Sequence, residues 1–112
     1  MNIKPFVSES AEIDVSEWND EIKAYLKPLN GFEALVFNDL FLEFYSKQRT
    51  PEERYEAGFK AALIGLVDET GAPLLAETDR EAVRAASFVP FYKMFNASLA
   101  ARNGKVETVK KK

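Results

Sequence analysis

The chain has 112 residues, with 15 Lys and Arg against 18 Asp and Glu, and contains neither Cys nor His. That length supports one hydrophobic core and one domain, and 46% hydrophobic with 29% charged residues is the balance of a folded globular protein. The missing Cys and His exclude disulfides, thiolate nucleophiles, zinc sites of the usual kind and an imidazole base, and a net charge of -3 disfavours binding to phosphate backbones.

Nucleic acid is therefore not an expected partner. No apolar run approaches the roughly 20 residues of a membrane-spanning helix, and Met1-Asn2-Ile3-Lys4-Pro5 lacks the apolar stretch of a signal peptide. No membrane association is expected, and the expected location is the cytoplasm. For chemistry, only carboxylate, Lys, Ser or Tyr groups or an all-oxygen Mg²⁺ or Ca²⁺ site remain open.

In chain order, residues 1–10 mix Pro5, Ser8 and Ser10 with a few apolar side chains and show no sustained period, which predicts a flexible N-terminal arm. Ile13 and Val15 alternate with Glu12 and Asp14, and Ile22, Ala24 and Leu26 alternate with Lys23, Tyr25 and Lys27. This period of two predicts a β-hairpin across the Ser16–Asp20 turn, with Trp18 folded back over one face; a helix capped by Ser16 is the alternative.

Asn30-Gly31-Phe32-Glu33 then supplies a capping box for a helix from about Phe32 to Lys47. Phe37, Phe41, Phe44 and Tyr45 form its core face, while Phe32, Leu35, Val36 and Leu42 fall on its other sides, so it is apolar nearly all round. Thr50-Pro51-Glu52-Glu53 is a second capping box, with Pro at the first helical position, opening a helix to about Val67. Beside its apolar stripe, Gly58, Ala61, Ala62 and Gly65 make a small-residue strip that would admit another backbone.

Asp68-Glu69-Thr70-Gly71 predicts a tight turn, and Thr78-Asp79-Arg80-Glu81 a third capping box for a helix through Val89, kinked or restarted at Pro90. Asn103-Gly104 predicts a stop, leaving residues 105–112 as a disordered basic tail. The expected fold is mainly α within the α+β class: a four-helix-like single domain over residues 11–104, with an N-terminal β-hairpin and a Pro-kinked C-terminal helix.

Of the polar constellations, Asp68, Glu69, Glu77, Asp79 and Glu81 alone could hold a hard cation, but their spacing matches no EF-hand loop, and turn and first-turn roles explain them. No phosphate-cradling or nucleophile-elbow motif is present, and Asn96-Ala97-Ser98 is a sequon in a helical setting. No catalytic, cofactor-binding or metal-binding residues are assigned, and an all-carboxylate enzyme ranks below any binding role. The surplus apolar surface of the first long helix is the feature with functional meaning: a helix apolar all round is either central or turned toward a partner. Phe32, Leu35, Val36 and Leu42 are the candidate protein-binding residues, meeting a partner or another copy in a homo-oligomer; the alternative is burial under the hairpin and the last helix.

From Ala57 to Gly104 the chain resembles the tail assembly chaperones of long-tailed, siphophage-type bacteriophages and prophages. The resemblance lies in a small-residue helix ending Leu63-Ile64-Gly65-Leu66-Val67, the Asp68–Gly71 turn, the pair Leu74-Leu75, an acidic start to the next helix and Asn103-Gly104. The stretch from Glu21 to Glu33 resembles their front. The Phe-rich first helix and Pro90 depart from that pattern. The resemblance implies a host-cytoplasm factor that binds the tape measure protein, helps recruit tail tube protein, and is not kept in the mature virion. It also implies a longer form made by frameshifting, to which Lys110-Lys111-Lys112 would contribute an A-rich slippery run. The alternative is a structural adaptor retained in the phage particle.

Overall fold

The computed structural model describes residues 1–110, with side chains through residue 100. The N-terminal hairpin forms from β1 (Ala11–Ile13) and β2 (Ala24–Leu26), paired antiparallel with Ala11 opposite Leu26. Alternation sends Ile13, Ala24 and Leu26 into the core. Trp18 folds back as expected: its indole N–H donates to the Ser87 carbonyl at 2.8 Å, and its ring meets Phe91 edge-on at 5.6 Å. Within the arm, Ser8 is buried and exchanges two 2.9 Å bonds with the Leu29 backbone, and Val7 bridges Asn30. The arm is thus fastened at its inner end.

Helix α1 (Gly31–Tyr45) starts at the expected capping box: Asn30 Oδ1 accepts from Glu33 N–H at 2.8 Å, and Glu33 Oε1 accepts from Asn30 N–H at 3.0 Å. Helix α2 (Pro51–Gly65) starts at the second box, Thr50 with Glu53. It ends two residues earlier than expected, because Leu66–Val67 leaves the helix as strand β3 and pairs antiparallel with β2, Tyr25 opposite Val67. This satisfies the second edge of β2, and the sheet order is β1-β2-β3.

The third box does not form at Thr78. Asp79 Oδ2 instead accepts from Ala76 N–H at 2.8 Å, opening a 3₁₀ turn at Glu77–Asp79 and a short α3 (Arg80–Arg84). At Pro90 the helix restarts rather than kinks. The chain breaks after α3, the Ser87 hydroxyl accepts from Val89 N–H at 3.1 Å, and α4 (Val89–Lys110) begins with Pro90 in its first turn, where a missing N–H costs nothing. Asn103-Gly104 is not a stop: both keep helical backbone angles instead of the left-handed ones a stop requires. Of the expected basic tail, 105–110 continue α4, and residues 111–112 lie outside the described range.

The core is aromatic, built on Phe37, Phe44, Phe59, Phe91 and Phe95. The small-residue strip of α2 admits rings, and at Gly65 a backbone as well, since the Gly65 carbonyl accepts from Lys27 N–H at 2.9 Å. A Cβ on Gly58 would lie 2.6 Å from Phe91 Cδ2, and one on Gly65 would lie 2.5 Å from Phe37 Cζ. Alanine favours helix over glycine by about 1 kcal/mol. Gly58→Ala and Gly65→Ala are nonetheless each expected to lower stability by about 1–3 kcal/mol, since the ring they meet is fully enclosed. Urea unfolding measures this, and an unchanged midpoint would show that the rings give way.

Candidate functional site

Capping at Asn30 and packing against α2 and α4 together fix how α1 is rotated. Its inner side carries Ala34, Phe37 and Phe44, all buried; Phe37 meets Phe95 at 6.1 Å between ring centroids, and Phe44 meets Phe91 at 5.8 Å. Phe41 is half-buried against Phe95. At roughly 100° per residue, Phe32, Leu35 and Leu42 then share the opposite side. They are 74%, 59% and 58% exposed.

Val36 differs from its three companions. It is half-buried, on the flank it shares with Leu40, which packs against the core. Tyr45 differs in the other direction: expected on the core face, it is 36% exposed and pairs with Tyr92, 37% exposed, at 5.5 Å. Burial of the Tyr45 ring, then the neighbouring Tyr92, raises its phenol pKa. The structure therefore groups Phe32, Leu35 and Leu42 on one stripe with Tyr45 at its end.

Charge on this helix has one sign. Glu33, Asp39 and Glu43 are acidic, and α1 has no basic residue. Glu33 is tied down: the Asn30 N–H and then the Lys27 ammonium, 3.0 Å away, hold its carboxyl below the usual range. Asp39 is exposed, between Leu35 and Leu42 along the stripe, and among the described residues no salt bridge engages it.

Three of the five acids considered for a cation, Asp68, Glu77 and Asp79, are engaged elsewhere. Asp68 Oδ1 accepts from the N–H groups of Thr70 and Ala72 and from the Thr70 hydroxyl, while Gly71 takes a φ of 89°. Glu77 binds Arg80, which also pairs with Glu56 and lies over the Phe59 ring. Among the described residues no three acids converge as metal ligands do.

A second apolar feature has no local sequence signal. Val15, Trp18, Ile22, Leu74, Leu75 and Val83 line an open groove of ≈ 280 Å³ between the hairpin turn, the segment after β3, and α3. Its walls come from three separate stretches of chain, so only the tertiary fold brings them together.

No family model, no curated protein and no solved structure matches the chain. Among the described residues no helix is long and apolar enough to cross a membrane.

Proposed function

We infer that this chain is an assembly chaperone for a bacteriophage tail, holding the tape measure protein on the exposed stripe of α1 and helping to recruit tail tube subunits. It acts in the host cytoplasm by binding, without catalysis or a cofactor, and leaves before the virion is complete. One observation carries the reading. The subunit closes its interior with its own aromatic rings and still leaves Phe32, Leu35 and Leu42 in water on one side of one helix. Large apolar side chains aligned in this way suit an amphipathic helical partner, whose own apolar side would otherwise aggregate before assembly. The likeness to tail assembly chaperones along Ala57–Gly104 supports the same reading.

Co-expression with the tape measure protein of the same phage tests it. The two proteins are expected to purify together, and mass spectrometry of finished virions is expected to lack this chain. A stoichiometric presence in virions would replace the chaperone with a structural adaptor, and failure of the pair to purify together would remove the binding role. A frameshifted longer form belongs to the same proposal; codons for Lys110–Lys112 that cannot re-pair after a shift would remove that part.

A further inference from the structure

The charge at the middle of the α1 stripe restricts what can sit there. Leu35 and Leu42 are seven residues apart, two turns of helix, and Asp39 lies between them on the same exposed side. A partner covering both leucines also covers Asp39. An apolar residue placed opposite would strip water from a carboxylate and leave it unpaired, which is costly.

A second copy of the chain is the first occupant to consider, since closed twofold pairing is the commonest assembly. Antiparallel pairing of two α1 helices that seats Leu35 of one copy on Leu42 of the other puts Asp39 against Asn38 of the second copy. The two Asp39 carboxylates then flank the twofold axis, like charges in the driest part of the contact. Neither helix has a base to offset them. Like charges so placed oppose association.

The geometry points instead to a different chain: an amphipathic helix with two apolar residues seven apart and a single Lys or Arg between them, set to pair with Asp39. This deepens the proposed function, on which it rests for the biological role of the stripe. A long basic side chain suits the place, because its aliphatic stem lies along Leu35 and Leu42 while its head reaches the carboxylate. Asp39 thus selects against self-pairing and in favour of a basic-centred helix with one residue.

Two measurements on the full chain test this. In the first, fluorescently labelled alanine-based helical peptides, each with leucines seven apart, differ only at the central residue: Lys, Glu or Leu. The Lys peptide is expected to bind the parent at least about tenfold more tightly than the other two, and the Glu peptide is expected to be favoured by Asp39→Lys. Equal binding of the three, preference for Leu, or no binding would overturn the inference. In the second, sedimentation equilibrium is expected to show that Asp39→Leu self-associates at least about tenfold more strongly than the parent, an effect removed by adding Leu42→Asp. A parent dimer broken by Leu35→Asp would overturn it. The tape measure protein enters neither measurement. A Lys preference without its capture defeats the chaperone assignment alone, and its capture on α1 with no Lys preference defeats this inference alone.

Discussion

The Leu35→Asp, Leu42→Asp double variant is expected to fold as the parent does and to bind the tape measure protein at least about a hundredfold more weakly. Both side chains are more than half exposed, so their replacement costs the monomer less than about 1 kcal/mol. In the proposed complex they are central anchors. Truncating one such anchor costs about 2 kcal/mol or more, and each 1.4 kcal/mol is tenfold in affinity. Two neighbouring anchors do not add fully, which leaves a hundredfold as the expected lower bound. Here each leucine is also replaced by a charge, on a helix that already carries three acids and no base. Titration of the purified pair, with a urea midpoint as the fold control, reads both parts. Undiminished affinity in a folded variant would show that the partner sits elsewhere, with the groove beside Trp18 the next surface to alter.

Phe91→Ala is expected to remove about 3–5 kcal/mol of stability. The Phe91 ring is fully enclosed and meets Trp18, Phe44 and Phe88 at 5.6, 5.8 and 5.7 Å between centroids. It also fills the space that Gly58 leaves open on α2. Alanine there opens a cavity facing the hairpin, α1 and α2 at once, so the surroundings cannot collapse from one side alone. A domain of this size has about 5–15 kcal/mol in total, so much of it is lost. The same geometry predicts coupling: Gly58→Ala is expected to cost less in a Phe91→Leu background, since the smaller side chain relieves the close approach. Equal cost in both backgrounds would show that the clash is taken up by α2 itself.

The parts of this fold written in local chemistry were readable before the structure. Asn30 with Glu33 and Thr50 with Glu53 each announce a helix start, and both starts fall where the capping side chains place them. The alternation around Ile13 and Leu26 announces the hairpin. What escaped depends on distant partners. Leu66 and Val67 continue the apolar pattern of α2, and only the unpaired edge of β2, forty residues earlier, turns them into a strand. Thr78 and Asp79 both suit a helix cap, and the choice was made by the backbone at Ala76.

The stripe followed the same division. Phe32, Leu35 and Leu42 were visible as apolar residues in excess of what one core face needs. Val36 drew inward with Leu40, and Tyr45 turned out toward Tyr92, because the rotation of α1 is set by where α2 and α4 lie, which helical periodicity does not encode. The groove beside Trp18 had no signature of its own, since the hairpin turn that forms one wall is far in sequence from Leu74, Leu75 and Val83, which form the others.

The position of α4 in the chain has a consequence for synthesis. Phe91, Met94 and Phe95 close the interior, yet they leave the ribosome after α1 and α2. Until then a nascent chain holds the rings of Phe37 and Phe44 covered only on the side of α2, so the finished packing is a late event that waits on translation. A product truncated before Val89 would therefore be a sticky, protease-prone polypeptide rather than a smaller working version of this protein.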